Sequence, residues 1–443
     1  ILLIGGGVGG GLRQALKYPG FHIDYVELDP DIIRISVPYL PAKEQAALNN
    51  ERVKIHYQDG RSFLQRTKER YDIIILNLPE PSTAQLNRFY TLEFFLRAKR
   101  KLADGGVFSF RVPSAENYIS KSLQNFLSSL FFTLKEAFPE VIIIPGDTNI
   151  FLASEHPLSL DWKRMATLIE ALGLANTYVI PQTLFSRLSP LRINRLRQTV
   201  LSGQRTINRD LAPISYFFDS VLWSTQFGGI ESKLFSRLAK IKTFWLLDFP
   251  LILFLFILFI LGLKKNPVSY SLTPLAVMGF TTIVTEILLI IAYQAFNGYL
   301  YQRIALLIAS FMIGLSCGAY FGMKRKKARF SQVILSQSGF ILLLLPCYFA
   351  FRTQPPEILF FLFLFGIGFL GGALFIVSNR LFLRQRQNYG LGYGLDLLGS
   401  FAGAIAVSSV LVPLVGLLPL FKYLLLLNSF CLVFLIIGMK NMD

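Results

Sequence analysis

A cluster of glycines near the start of the chain has the composition of a turn that receives a ligand. Four apolar residues lead into the glycines Gly5, Gly6, Gly7 and Gly9. Glycines let the backbone turn sharply and let a ligand approach it, and the helix that follows offers free N–H donors at its start. The next apolar strand ends at Glu27, whose carboxylate can accept hydrogen bonds from ribose hydroxyls. This strand-helix-strand order predicts a nucleoside site, and a purely structural turn is the alternative.

Two later strands also end in polar side chains. The segment ERVKIHYQDG predicts a third strand that ends at Asp59 and Gly60, where a carboxylate can accept a hydrogen bond from an adenine amino group. The continuously apolar segment YDIIIL predicts a fourth, parallel strand, which is followed by Asn77 and Glu80. Ligands of open α/β sheets bind just beyond the carboxyl ends of the strands, so Asn77 and Glu80 are candidate site residues. Alternatively, both residues merely cap the helix that follows.

The strands that position these residues alternate with helices along the chain. This order predicts a doubly wound α/β domain with a mostly parallel sheet. The segment RFYTLEFFLRAKRKLADGG predicts a helix that turns Leu92, Phe95, Leu96 and Leu102 toward that sheet and is closed by Gly105 and Gly106. The first residue lies inside a predicted strand and is not Met, so we interpret the sequence as a fragment that lacks its N-terminal part.

The composition requires a membrane part. Of the 443 residues 53% are hydrophobic, which excludes a wholly soluble protein. Seven apolar runs of about 20 residues follow, a length that crosses ~30 Å of hydrocarbon as a helix. They lie near residues 244–263, 272–293, 303–323, 332–351, 357–378, 395–415 and 417–438. We therefore divide the chain into a nucleoside-binding domain at 1–160, a helical and aromatic connecting segment at 161–242, and an all-α transmembrane domain at 243–443.

The net charge of +17 is best explained by basic loops of a membrane protein. A nucleic-acid partner is not predicted, because the sequence contains no basic patch interleaved with aromatic residues. The three cysteines lie in apolar runs and the three histidines are scattered, so neither a disulfide framework nor a metal site is predicted. No metal cofactor is therefore expected.

Loop charge and ligand location predict opposite orientations for the membrane part. If every apolar run crosses once, one face carries Lys264, Lys265, the cluster from Lys324 to Arg329, Arg380, Arg384, Arg386 and Lys440. The positive-inside rule places that face in the cytoplasm, opposite the nucleoside-binding domain. An adenosine-type ligand is expected in the cytoplasm, and we give that more weight. The sequence thus predicts a multi-pass protein of the inner membrane with a cytoplasmic domain and a helix count open by one.

Two acids inside the apolar runs, Glu286 and Asp396, are costly in lipid and usually face a cavity or a partner. With the nearby tyrosines Tyr293, Tyr299 and Tyr393 they would suit a cationic polyamine or a proton path. The alternative is that a neighbouring helix or Arg303 satisfies each carboxylate. Glycines recur at four-residue spacing at Gly314, Gly318 and Gly322 and again at Gly399 and Gly403. This spacing indicates close packing between helices, and a homo-oligomer is a weaker inference from it.

Four stretches, in order and spacing, resemble the spermidine synthase family of aminopropyltransferases, in a variant fused to membrane segments. They are IGGGVGG, VELDPDII, YQDGRSFL and YDIIILNLPEPSTAQLNRFYTLEFF, and the resemblance covers about residues 1 to 155. It implies a Rossmann-like, methyltransferase-type fold. It also implies a site for decarboxylated S-adenosylmethionine or S-adenosylmethionine as co-substrate, and a putrescine-like amine as the partner substrate.

The resemblance implies roles for individual residues. Gly5, Gly6, Gly7 and Gly9 would shape the turn, Glu27 would hold the ribose, Asp59 and Gly60 would meet the adenine, and Tyr90 would lie near the amine. Asp29 is assigned a supporting role behind these residues.

The departures from the family pattern concern charge. The family usually has Asp at the position of Val8, where it helps to hold the donor's ammonium group. The family's catalytic Asp falls on Asn77, and an amide is no base. The next family Asp falls on Glu80, which can accept a proton from the attacking amine. Asn77, Glu80 and Tyr90 are therefore the candidate catalytic residues.

We predict a membrane-bound transferase that moves an aminopropyl or related group from an adenosyl-sulfonium donor to an amine, in polyamine metabolism. Two alternatives stay open. The first is a polyamine carrier or sensor whose nucleoside-binding domain is catalytically impaired. The second is an S-adenosylmethionine-dependent N-methyltransferase, because Asn-Leu-Pro resembles the loop with which amine methyltransferases hold a target nitrogen.

Overall fold

The structure is a computed structural model that describes residues 1–116, 118–174, 176–227, 244–298, 301–325 and 327–439. Contacts between residues divide the chain into two compact units, Ile1–Lys233 and Leu234–Asp443. The division into three parts that we drew from the sequence stays a prediction.

The first unit contains a seven-stranded sheet. Its strands are β1 Leu2–Ile4, β2 Ile23–Glu27, β3 Val53–Tyr57, β4 Tyr71–Leu76, β5 Leu102–Pro113, β6 Glu140–Ile144 and β7 Thr148–Ser154. Its α-helices are α1 Gly11–Leu16, α2 Pro30–Ser36, α3 Ala42–Leu48, α4 Gly60–Arg66, α5 Ala84–Asn87, α6 Leu92–Lys101, α7 Lys121–Ala137, α8 Trp162–Ala171, α9 Pro181–Arg187, α10 Pro190–Leu201 and α11 Ile214–Phe227.

The strand order is β3-β2-β1-β4-β5-β7-β6. Strands β1 to β5 run parallel, whereas β7 is antiparallel to both of its neighbours. The predicted doubly wound, mostly parallel sheet is therefore confirmed. The order reverses between β1 and β4, so the loops that leave these two strands diverge and form a crevice at their carboxyl ends.

Aromatic side chains fill the core on β5 and α6. Phe95 stacks on Phe110 with ring centroids 5.7 Å apart, and Phe110 stacks on Phe151 at 4.7 Å. Leu92 and Phe95 are buried as predicted, but Leu96 is 40% exposed. The prediction for Leu96 is wrong because the buried face of this helix is formed by Phe94, Phe95 and Ala98, and Leu96 lies outside that arc. The predicted end of the helix is also wrong: α6 ends at Lys101, and Leu102, Gly105 and Gly106 belong to β5.

The described part of the connecting segment packs on α7 within the first unit. The Ser128 hydroxyl donates to the Val200 carbonyl at 2.7 Å, and the Asn208 N–H donates to the Thr133 hydroxyl at 2.8 Å. Phe217 and Phe218 of α11 are buried, so these aromatic residues serve packing.

The second unit contains, among the described residues, seven helices long and apolar enough to cross a membrane. They are Trp245–Leu263, Pro267–Asn297, Gln302–Lys324, Phe330–Ala350, Glu357–Gln385, Tyr389–Val415 and Leu417–Met439, numbered below as the first to seventh apolar helices. The seven predicted runs are confirmed, and these helices indicate a multi-pass membrane protein. The orientation stays a prediction, and Lys326 and Lys440 of the basic face lie outside the described residues.

Small residues let these helices approach each other closely. A side chain at Gly314 or Gly318 would overlap the backbone of Phe365 or Phe369 in the fifth apolar helix. Gly399 meets the backbone of Ala276 in the same way. The predicted packing role is confirmed, and a homo-oligomer stays a prediction.

Candidate active site

The glycine turn connects β1 to α1 in a conformation that requires glycine. Gly5 and Gly6 have φ angles of 75° and 66°, which side chains disfavour. A side chain at Gly6 would also overlap the amide of Asn77. The turn therefore presents bare backbone at the reversal of the strand order.

Glu27 ends β2 and is held by protein donors. Its carboxylate accepts a hydrogen bond from the Tyr25 hydroxyl at 2.7 Å and from the Leu28 N–H at 2.9 Å. Burial, together with the hydrogen bond to Glu27, raises the pKa of Tyr25, so Tyr25 stays a donor. The Oε1 atom also accepts a hydrogen bond from the Asp29 N–H at 3.4 Å, whereas Oε2 keeps a second lone pair that a ribose hydroxyl can use. The ribose role of Glu27 stays a prediction.

Asp29 lies at the start of the helix that follows Glu27. Its side chain accepts a hydrogen bond from the Asp31 N–H at 2.9 Å and so caps α2. Its N–H donates to Glu27, so the described bonds of Asp29 both stabilise the helix after Glu27 and help to hold the Glu27 carboxylate.

Asp59 is 2% exposed and caps α4. One oxygen accepts hydrogen bonds from the N–H groups of Arg61 at 3.1 Å and Ser62 at 3.0 Å, and the other forms an ion pair with the buried Arg88. Gly60 packs against Ile4, where a side chain would overlap the Ile4 methyl group. An adenine bond to Asp59 would add to these contacts, and that role of Asp59 and Gly60 stays a prediction.

The loop after β4 is fixed at both of its ends. The Asn77 N–H donates to the Ile4 carbonyl at 2.9 Å, and the Asn77 side-chain amide donates to the Gly6 carbonyl at 3.4 Å. The hydroxyl of Tyr90, which is fully buried, donates to the carbonyls of Pro79 at 2.7 Å and Leu78 at 3.2 Å. Tyr90 therefore holds the loop, and its predicted place near the amine stays a prediction.

The helix after this loop has its own cap. Thr83 accepts a hydrogen bond from the Leu86 N–H at 3.2 Å at the start of α5. The alternative that Asn77 and Glu80 serve as caps for that helix is therefore wrong, because a threonine closer to the helix supplies the acceptor.

An open cavity of about 480 Å³ lies at the carboxyl ends of β1, β4 and β5. It brings together Gly6 and Gly9 of the turn with Asn77 and Glu80 of the loop. The rest of its lining is Leu78, Pro79, Arg111, Val112, Pro113 and Thr148. The other predicted residues lie outside this lining, namely Gly5, Gly7, Glu27, Asp59, Gly60 and Tyr90.

Arg111 is a cavity residue that our sequence reasoning missed. Leu76 of β4 pairs with Phe110 of β5, so Arg111 lies level with Asn77 at the edge of the sheet. The sequence does contain a signal for it: Arg111 is a charged residue directly after the apolar segment VFSF, near the end of the strand that pairs with β4.

Asp219 of α11 is a second missed residue. It is 2% exposed, and its Oδ2 atom accepts no hydrogen bond from the part of the chain that the structure describes. Burial and the charge of Glu80 raise the pKa of Asp219 to about 7. Because α11 lies about 140 residues after β4 in sequence, no local pattern reveals this contact.

Comparison with known proteins assigns a family to residues 1–158 of the first unit. The family model described as "Spermine/spermidine synthase domain" matches residues 1–158. Residues 1–158 are a spermine/spermidine synthase domain. The family predicted from the four sequence stretches is thereby confirmed.

Curated relatives match this synthase domain over part of their own length. A polyamine aminopropyltransferase 2 from Aquifex aeolicus is 33% identical over 168 residues, which is 36% of this chain and 33% of the relative. A polyamine aminopropyltransferase 2 from Bacillus anthracis is 32% identical over 196 residues, which is 43% of this chain and 52% of the relative. The chain thus spans a third to a half of these relatives.

Among solved structures, the spermidine synthase from Thermotoga maritima is 19% identical with a TM-score of 0.36, and the match covers 45% of this chain and 67% of that chain.

The acids predicted in the membrane part lie outside the synthase domain and at different depths. Glu286 is 9% exposed in the second apolar helix, and Asp396 of the sixth lies against Gly279. Gly279 is seven residues before Glu286, about 10 Å along the helix. The two carboxylates therefore do not meet at one level, and their role in transport stays a prediction.

Arg303, the predicted alternative partner of Glu286 and Asp396, contacts a different acid. Arg303 forms an ion pair with Glu357 at 3.5 Å, and the Tyr293 hydroxyl donates to Glu357 at 2.8 Å. The alternative that Arg303 satisfies Glu286 or Asp396 thus finds no support, because Arg303 pairs with a different acid. Tyr299 lies outside the described residues, and Tyr393 is exposed.

No cluster of three or more His, Cys, Asp or Glu side chains that could hold a metal ion occurs in the described parts of the chain.

Proposed function

We propose that the synthase domain transfers an aminopropyl or related group from an adenosyl-sulfonium donor to a putrescine-like amine, within a chain anchored in the membrane. One observation carries the proposal: a single cavity joins the bare backbone of Gly6 and Gly9 to Asn77 and Glu80. A nucleoside on the turn would thus place its sulfonium group beside Glu80, whose carboxylate can accept a proton.

The donor would be held by the groups around the turn. Glu27, oriented by Tyr25, would accept hydrogen bonds from the ribose hydroxyls. Asp59 and Gly60 would border the adenine, at the carboxyl end of β3. These contacts use the shared adenosyl part of the donor and do not depend on which group is transferred.

The reaction is a nucleophilic substitution at carbon. The amine nitrogen forms a bond to the carbon attached to the sulfonium, the C–S bond breaks, and its electron pair goes to sulfur, which leaves as a neutral thioether. An amine at neutral pH carries an extra proton that it must lose before or during attack.

Glu80 is the proposed acceptor of that proton. The Asn77 amide cannot accept it as a base, and its side chain donates to Gly6 instead. Glu80 is a carboxylate in the cavity lining. Asp219 lies within electrostatic reach of Glu80, and its pKa of about 7 makes it a second carboxyl that can exchange a proton near neutral pH.

The test uses the full chain in detergent with putrescine and either decarboxylated S-adenosylmethionine or S-adenosylmethionine. Methylthioadenosine is the expected product when the aminopropyl group moves, and S-adenosylhomocysteine when a methyl group moves. Glu80→Gln is expected to lower kcat by about 10²- to 10⁴-fold and to retain donor binding, because it removes only the proton acceptor.

The exposed Glu51 supplies the matched control, and Glu51→Gln should keep full activity. If neither donor gives product while labelled donor still binds, the transferase proposal fails and the sensor or carrier alternative replaces it.

A further inference from the structure

Arg111 places a cation with no protein partner in the cavity. Its side chain is exposed and forms no hydrogen bond or ion pair among the described residues. Its position is set by β5, whose register with β4 puts Arg111 level with Asn77. A strand is a rigid support, so the backbone of Arg111 is fixed on this side of the cavity and its flexible side chain can reach a ligand there.

Glu80 places the opposite charge in the same cavity, also without an ion pair among the described residues. The other lining residues are uncharged, and Arg111 and Glu80 do not neutralise each other through an ion pair. The cavity thus offers one free cation and one free anion to whatever binds there.

The glycine turn adds no charge to the cavity. Val8 packs against the apolar cluster that contains Leu12 and Tyr25. Glu27 lies outside the lining. Arg111 is therefore the cavity's only cation among the described lining residues, and it has no competing protein carboxylate within ion-pair distance.

We propose that Arg111 binds the carboxylate of a substrate, so that one of the two substrates is an amino-acid derivative. The planar guanidinium donates two parallel hydrogen bonds to a carboxylate, which a plain diamine or a decarboxylated donor lacks. Glu80 remains free to receive the amine. A volume of about 480 Å³ is that of a ligand pocket, with room for such a group beside the adenosyl part.

The carboxylate can belong to the donor or to the acceptor, and two matched pairs of compounds distinguish these sources. S-Adenosylmethionine and its decarboxylated form differ by one carboxylate on the donor. Ornithine and putrescine differ by one carboxylate on the acceptor. The inference rests on the adenosyl site of the proposed function, and methylthioadenosine, which has neither carboxylate nor amine, tests that site alone.

The experiment measures binding to the full chain in detergent by isothermal titration calorimetry, with the acceptors titrated in the presence of methylthioadenosine. The parent protein is expected to prefer the carboxylate-bearing member of one pair by about 10- to 100-fold, the value of a charge-assisted hydrogen bond pair. Arg111→Gln should abolish that preference and leave methylthioadenosine binding unchanged. Arg34→Gln, at an arginine 76% exposed on α2, is the matched control and should keep the preference.

The inference is overturned, with the proposed function intact, if methylthioadenosine binds but neither pair shows a preference. It is equally overturned if Arg111→Gln keeps the preference of the parent. If methylthioadenosine itself does not bind, the adenosyl site is absent, and both the proposed function and this inference fail.

Discussion

At the scale of single residues, the site depends on which side chains already have partners. Both oxygens of Asp59 are occupied by protein donors, and the Tyr90 hydroxyl is used to hold two carbonyls. Glu80 and Arg111 have no such partners among the described residues, so they are the charged groups left for a ligand. Asp219 is buried, and its burial together with the charge of Glu80 raises its pKa to about 7.

Asp219 predicts a dependence of stability on pH. The native protein binds the Asp219 proton with a pKa of about 7, above the ordinary value of 3.8, so stability is fully present below pH 4 and lost as pH rises through 7. Asp219→Asn removes the buried charge and should stabilise the chain at pH 8 relative to the parent by roughly 2–4 kcal/mol. That advantage should shrink markedly at pH 5.

Thermal unfolding of the detergent-solubilised variants at both pH values measures this difference. Asp147→Asn, at an exposed carboxyl, serves as the control and should show a small, similar change at both pH values. A difference between parent and Asp219→Asn that does not vary with pH would contradict the burial argument.

At the scale of elements, close contacts between backbones determine both units. In the first unit, the carboxyl ends of parallel β1 and β4 bring the glycine turn beside Asn77. In the second unit, glycines let the third apolar helix lie directly on the fifth. The same chemical property, the missing side chain, thus makes room for the Asn77 side chain in one case and for a helix in the other.

The packing of the third on the fifth apolar helix predicts a strong effect of added volume. Gly318→Leu should destabilise the protein by about 1–3 kcal/mol or prevent its folding, because the side chain would overlap the Phe369 backbone. Gly262→Leu is the matched control, since in the described part of the chain no atom of another element lies within 4 Å of a Cβ at Gly262.

Melting temperature and the yield of monodisperse protein in detergent report the outcome. Equal values for Gly318→Leu and Gly262→Leu would show that the two helices do not pack as the structure describes.

At the scale of the whole molecule, a synthase domain is joined to seven candidate membrane helices in one chain. A transferase that uses an adenosyl donor needs access to the cytoplasm, whereas the positive charges of the loops predict the opposite orientation. Because the two requirements disagree, a measurement of the side of the membrane on which residues 1–158 lie distinguishes between them.

We expect the synthase domain to lie in the cytoplasm. Glu51→Cys, at an exposed position of that domain, should react with a membrane-impermeant maleimide only after the cells are broken. The parent chain, with Cys317, Cys347 and Cys431, gives the background labelling. Lys265→Cys, after the first apolar helix, then reports whether that helix crosses. Labelling of Glu51→Cys in intact cells would place the domain outside the cytoplasm, where it would have no supply of the adenosyl donor.

The sequence by itself determined the order of strands and helices, the seven apolar helices and the glycine turn, because periodicity and composition act locally. It also placed Asn77 and Glu80 at one site, because parallel strands align their carboxyl ends. Only the tertiary structure decided that Tyr90 is buried under the loop, that Arg111 shares the cavity and that Asp219 lies within electrostatic reach of Glu80. These contacts join elements far apart in sequence, and the packing that creates them leaves no local pattern.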